Sequence, residues 1–207
     1  MPLPLAVLVS GNGTNLQAIL DAIGQGALRA EVRLVLSNVA GAGALARAER
    51  AGVPVRVLEH RAFASRAEFD RAVAVAVREA GAEWIVLAGF MRILGPEVVG
   101  AFRHRIVNLH PALLPAFPGA HAHRDALAYG VKVTGCTVHL VDEGVDTGPI
   151  VLQRAVPVLD TDDEASLAAR VRVEEHALLV AALRAISEGR LHVEAPAAGG
   201  RARVRIE

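Results

Sequence analysis

The first half of the chain alternates short apolar runs with longer segments of helical period, and few folds accept that rhythm. "LPLAVLVS" (residues 3–10) reads as a buried strand, and "TNLQAILDAIGQG" (14–26) as a helix with a polar start and a glycine stop. "EVRLVLSN" is a second strand, "GALARAERAG" a second helix, and "PVRVLE" a third strand. "SRAEFDRAVAVAVREAG" is a longer amphipathic helix, opened by Ser65 in a capping-box pattern with Glu68. "EWIVLAG" is a fourth strand, "GPEVVGAF" a short helix and "RIVNLH" a fifth strand. Strands that alternate with helices form right-handed βαβ units. The expectation is therefore a three-layer α/β fold: a mostly parallel, twisted sheet with helices on both faces and a Rossmann-related N-terminal half.

After Pro111 the rhythm changes. A loop leads to a short helix near Arg124–Tyr129, and two strand-like runs follow, "KVTGCTVHLV" and "PIVLQRAVPV". They are joined by "DEGVDTG" and are expected to pair antiparallel. A long helix over roughly Glu164–Glu188 and a short tail complete the chain. With 207 residues, 53% of them hydrophobic, the chain can bury one sizeable core. It is read as a single domain, 1–207, with a seam between halves 1–104 and 105–207.

Twenty-two basic residues balance 22 acidic ones, which argues against non-specific nucleic-acid or anionic-membrane binding. The single cysteine, Cys136, allows no internal disulfide and favours a reducing compartment. The apolar start lacks a basic leader and reads as a strand, and no run reaches the roughly 20 apolar residues of a membrane span. A cytoplasmic location is the expectation.

Two stretches carry chemistry. "VSGNGTNLQ" places Gly11, Asn12, Gly13, Thr14 and Asn15 between the first strand and the first helix. Glycines let a ligand approach the backbone, and a helix N-terminus offers unpaired N–H groups and a positive dipole end to a phosphate. The dinucleotide fingerprint fits poorly, because Leu16 stands at its third glycine and the second strand ends in Ser37-Asn38 without an acidic residue. A monophosphate site is one reading; a tight turn capped by Thr14 or Asn15 is the other.

The second stretch is "RIVNLHPALLPAFPGAHAHRDAL", where an apolar strand ends in polar groups. Asn108 and His110 are two apart, so they share a face at the strand's C-terminal edge, where open α/β sheets bind ligands. Asp146, in the glycine-rich "DEGVDTG" loop, can fold over that edge. An amide donor and a protonated imidazole suit a developing oxyanion, and a carboxylate raises the pKa of the imidazole. With no nucleophile motif in view, direct acyl transfer to an amine is favoured over a covalent intermediate. A zinc set of His110, His121, His123 and Asp146 competes weakly, lacking any His-Glu-x-x-His or paired-cysteine pattern, so no metal is expected. His139 reads equally as a residue ordering the pocket or as a core histidine.

Four segments, "LVSGNGTNLQAI", "LAGFMRIL", "NLHPALLPAFPGAHAH" and "HLVDEGVDTGPIVLQ", together resemble the folate-dependent phosphoribosylglycinamide formyltransferases of purine synthesis. The resemblance covers nearly the whole chain in order. It implies formyl transfer from the cosubstrate 10-formyltetrahydrofolate to the amine of glycinamide ribonucleotide, with residues 1–104 as the phosphate-binding half and 105–207 as the catalytic and folate half. It gives His110 the role of acid, Asn108 that of holding the formyl oxygen, and Asp146 that of keeping His110 protonated. Gly13, Thr14 and Asn15 match the substrate-phosphate loop, and Glu175 a carboxylate for the ribose hydroxyls. Arg66, Met91, Arg92, Ile93, Leu94, Asn108 and the Asp142–Val145 loop match folate positions. Read without the resemblance, Met91, Ile93 and Leu94 suit a core and Arg66 and Glu175 a surface. Small-molecule partners are implied, and a monomer or homodimer.

Some positions depart from the pattern. Ala116 and Phe117 stand where relatives often have a basic residue and a tyrosine, and Leu179-Val180 replaces a Tyr-Pro. Methionyl-tRNA formyltransferase shares the Asn-x-His and Asp set, but carries an added RNA-binding domain for which this neutral chain is too short. Formyltetrahydrofolate hydrolase adds an N-terminal regulatory domain. A non-catalytic nucleotide-binding module would leave Asn108, His110 and Asp146 unexplained.

Overall fold

A computed structural model describes residues 1–195 and 201–207. The first unit, residues 1–108, carries the βαβ alternation. Strands β1 (Leu3–Val9), β2 (Ala30–Ser37), β3 (Val55–Val57), β4 (Trp84–Leu87) and the start of β5 (Ile106–His110) run in the order β3-β2-β1-β4-β5, every pair parallel. β1 is fully buried from Leu5 to Val9, as a strand covered on both faces must be, which is why its run is continuously apolar. Helices α1 (Thr14–Gly24), α2 (Gly43–Arg50), α3 (Arg66–Glu79) and α4 (Pro96–Ala101) connect the strands.

The third strand is shorter than "PVRVLE" suggests. β3 keeps three residues, two of them exposed, and a 3-10 turn follows at His60–Ala62. Edge strands bury little and stop early. The Ser65–Glu68 box is half formed. Ser65 Oγ accepts the Glu68 N–H at 3.2 Å, but the Glu68 carboxylate reaches back to the N–H of Ala64 rather than to that of Ser65.

The second unit, residues 109–207, holds the end of β5, helix α5 (Ala122–Tyr129), the antiparallel pair β6 (Val133–Leu140) and β7 (Ile150–Pro157), and α6 (Glu164–Ser187). α6 packs on β6 and β7 through Leu167, Val171, Leu178, Leu179 and Leu183, a stripe at helical spacing. Its start is fixed by a reciprocal box between Asp163 and Ser166. The short tail forms a further antiparallel pair, β8 (Leu191–Glu194) with β9 (Arg203–Ile206); residues 196–200 of that tail lie outside the described residues. No helix among the described residues is long and apolar enough to cross a membrane.

Candidate active site

β5 ends in Asn108 and His110, and strand alternation turns both to one face. His110 is buried, with Nε2 2.8 Å from the Phe117 carbonyl and Nδ1 3.4 Å from Asp146 Oδ2. Carbonyl and carboxylate oxygens only accept hydrogen bonds, so the ring form that satisfies both neighbours is the doubly protonated imidazolium. Burial works against that form and, with a smaller push from His139, outweighs Asp146 and the Phe117 carbonyl, holding His110 below its ordinary range. Asp146 thus acts on His110 in the direction the sequence predicts, but burial sets the net direction.

Asp146 has left-handed backbone, φ 54°, and its carboxylate gathers three neighbours. Oδ2 accepts the Gly119 N–H at 2.8 Å beside His110, and Oδ1 lies 3.5 Å from His139 Nε2. Burial pushes this carboxyl up, but the bonds from His139 and Gly119 and the charge of His110 bring it below the usual carboxylate range. His139 is itself buried, with Nδ1 3.0 Å from the Leu140 carbonyl. The core-or-pocket ambiguity of His139 in the sequence resolves onto Asp146.

The proline-rich loop is pinned by residues that sequence reading passed over. Thr137 Oγ1 donates to the Ala112 carbonyl at 2.6 Å and accepts the Leu114 N–H at 3.1 Å, and Gln153 Nε2 donates to the Leu114 carbonyl at 2.8 Å. Phe117 takes φ 50° and stacks edge-on against Tyr129, ring centroids 5.9 Å apart. A threonine inside an apolar β6 was the available signal, since a buried hydroxyl must find partners.

In the 142–148 loop, Asp142 Oδ1 takes the Gly144 N–H and the Thr147 hydroxyl, at 3.1 and 2.6 Å, so its side chain shapes the loop; Val145 is exposed. Glu175 sits half-buried on α6. Burial raises its pKa from an ordinary 4.5 to about 7, opposed only in part by Arg172. Arg172 stands one turn before Glu175 and lowers the pKa of His123 and His176 alongside the larger effect of burial, a role not singled out in the sequence.

In the first unit, Gly13 caps α1 at φ 74°, and no side chain caps the helix, so Thr14 and Asn15 do not play the capping part of the bland reading. A Cβ on Gly13 would lie 2.5 Å from the Ala44 Cβ; only glycine fits. Asn15 Oδ1 is buried without a hydrogen-bond partner. Arg47 braces the loop, its Nε donating to the Asn12 carbonyl at 2.8 Å. Ser10 ties the loop to the strip after β4: its hydroxyl donates to Asn38 Oδ1 at 2.6 Å and accepts the Met91 N–H at 2.8 Å. Along that strip Met91 and Ile93 are exposed, 71% and 56%, while Leu94 is buried at 4%. The first two are unspent apolar surface, whereas the Leu94 side chain belongs to the core. Arg66, on α3, is half-exposed beside Asp70.

Of the predicted set, Gly13, Thr14, Asn15, Arg66, Met91, Arg92, Ile93, Leu94 and Asn108 lie in the first unit, and His110, Asp142, Val145, Asp146 and Glu175 in the second. Among the described residues no group of three or more His, Cys, Asp or Glu side chains is placed to hold a metal ion, and that includes the alternative set of His110, His121, His123 and Asp146. A groove of about 500 Å³ at the ends of β2 and β3, lined by Asn38, Val39, Glu59, His60, Arg61 and Ala62, includes none of the predicted site residues.

Residues 3–183 match the family described as formyl transferase, which fixes the class of protein that this fold and site define. The phosphoribosylglycinamide formyltransferase of Escherichia coli (strain K12) is 43% identical over 194 residues, 94% of this chain and 92% of that one. The crystal structure of glycinamide ribonucleotide transformylase 1 from Symbiobacterium toebii superposes with a TM-score of 0.94 at 48% identity, covering 99% of this chain and 94% of that one. The trifunctional purine biosynthetic protein adenosine-3 of Gallus gallus is 48% identical over 189 residues, and the chain spans about a fifth (19%) of its length. The chain belongs to the phosphoribosylglycinamide formyltransferase family.

Proposed function

We propose that the chain transfers the formyl group of 10-formyltetrahydrofolate to the amine of N1-(5-phospho-D-ribosyl)glycinamide, in the cytoplasm, as a step of purine synthesis. The observation that carries the reading is the buried His110 held between the Asp146 carboxylate and the Phe117 carbonyl, at 3.4 and 2.8 Å. The uncapped α1 behind Gly13, Thr14 and Asn15 suits the phosphate. Glu175 suits the ribose hydroxyls, because a carboxylate accepts from two of them. Exposed Met91 and Ile93 suit a flat pterin, with Arg66, Arg92, Leu94, Asn108, Asp142 and Val145 completing the folate positions.

The amine nitrogen attacks the formyl carbon and a new N–C bond forms. Negative charge gathers on the formyl oxygen, where the Asn108 amide donates a hydrogen bond and the positive charge of the His110 imidazolium helps hold it. Asp146 holds the imidazolium and takes up, through water, the proton that the amine sheds. The bond from the folate N10 to the formyl carbon then breaks, N10 receives a proton from His110, and tetrahydrofolate and formylglycinamide ribonucleotide leave. No covalent enzyme intermediate forms.

The test is an absorbance assay for folate product with and without the ribonucleotide. Release that requires the ribonucleotide supports the transferase; release without it points to a hydrolase and overturns the reading.

A further inference from the structure

We propose that Asp70 is a positioning residue for the formyl donor, holding Arg66 by one edge and the backbone that follows Leu94 in place; the inference rests on the folate assignment above. Asp70 lies on α3, one turn after Arg66, and is 1% exposed. Its Oδ2 accepts the Gly95 N–H at 2.9 Å and stands 3.6 Å from Arg66 Nε. Its Oδ1 is buried with no hydrogen-bond partner. A Cβ on Gly95 would run into the same carboxylate.

For packing alone this is a poor residue. Its neighbours on α3, Phe69, Val73 and Val77, are fully buried apolar side chains, and a buried carboxylate with one oxygen unsatisfied costs stability that a leucine would not. Its geometry suits a ligand instead. Binding Arg66 through Nε leaves the two terminal amino groups of the guanidinium, on a half-exposed side chain, as a planar fork for an incoming carboxylate. The Gly95 contact fixes the end of the Met91–Leu94 strip. One carboxylate therefore sets both a cationic fork and the apolar strip against which the donor's ring would lie.

The experiment compares wild type, Asp70→Asn, Gly95→Ala and Arg66→Gln with two donors: 10-formyltetrahydrofolate, and the same molecule lacking its glutamate tail. Asn keeps an acceptor for the Gly95 N–H but no charge for Arg66. Asp70→Asn is expected to raise KM for the complete donor about fivefold, leave kcat and the ribonucleotide KM within about twofold, and lose its penalty with the tail-less donor. Gly95→Ala displaces the carboxylate without removing it, and is expected to raise KM for both donors. It also serves if Asp70→Asn does not fold. A rise in KM for the complete donor in Arg66→Gln, with Asp70→Asn and Gly95→Ala unchanged, overturns the role of Asp70. An unchanged donor KM in Arg66→Gln overturns the folate assignment of Arg66 itself.

Discussion

Glu175→Gln is expected to make the protein more stable above neutral pH and worse at binding its ribonucleotide. Burial raises the Glu175 pKa from 4.5 to about 7, and Arg172 offsets this only in part. A carboxyl with a folded pKa above its unfolded value binds a proton more tightly in the folded state. Its contribution to stability is therefore complete below pH 4.5, falls as pH rises to 7, and stays lost beyond. The gap of about 2.5 pH units, at 1.36 kcal/mol each, amounts to about 3 kcal/mol, an upper bound because the half-buried side chain keeps some contact with water. Glutamine has nearly the same shape and no charge to desolvate. Urea unfolding at pH 5, 6, 7 and 8 should show a stability difference, variant minus wild type, growing from under about 1 kcal/mol toward about 3 kcal/mol. The ribonucleotide KM at pH 8 should be higher in the variant than in wild type, since the amide is a weaker acceptor for the hydroxyls. A difference flat across pH, or a variant less stable at pH 8, would refute the assignment of a desolvated carboxylate at this position.

Asn108→Ala removes an oxyanion donor and is expected to lower kcat by roughly 10²–10³ with unchanged unfolding; turnover near wild type would remove Asn108 from the reaction. In Asp146→Asn the charge that raises the His110 pKa is gone, so the His110 ring should titrate lower still. Following its NMR signal against pH checks this, and an unmoved midpoint separates the two residues. Gly13→Ala forces a left-handed alanine against Ala44, and should cost about 2 kcal/mol or more in urea unfolding while raising the ribonucleotide KM. Destabilisation below about 0.5 kcal/mol would mean that the loop has room to move.

The parts of the fold legible in the sequence are those where burial dictates composition. β1 and β4 are covered strands announced by continuous apolar runs; β2 turns Glu31 and Arg33 outward before its buried stretch from Leu34, and β5 is apolar apart from its closing Asn108 and His110. β3 was legible as a strand but not in length, because Arg56 and Val57 are exposed at an edge where no burial pattern marks the end. The β8–β9 pair escaped notice: each strand is four residues of alternating exposure, too short for period-two alternation to stand out from a tail. Asp163 with Ser166 makes the reciprocal box that Ser65 and Glu68 only half complete, because the Glu68 carboxylate finds the N–H of Ala64 first.

The site was legible residue by residue where side chains carry it, and illegible where the backbone does. Asn108, His110 and Asp146 stand out as polar groups closing apolar or glycine-rich runs. The Phe117 carbonyl on His110 does not, since nothing about a phenylalanine announces that its carbonyl will be used. Among the described residues three non-glycine side chains adopt left-handed backbone, His104, Phe117 and Asp146, and two of them hold the same imidazole. A β5 strand alone fixes where His110 begins, but not which way its ring turns. That orientation is set by two loops kept in a conformation that costs roughly 1–2 kcal/mol per residue. The expense is tolerated because Thr137, Gln153 and Gly119 over-determine the loops through hydrogen bonds of their own. Local sequence rules fail here because the structure spends local stability to aim one ring.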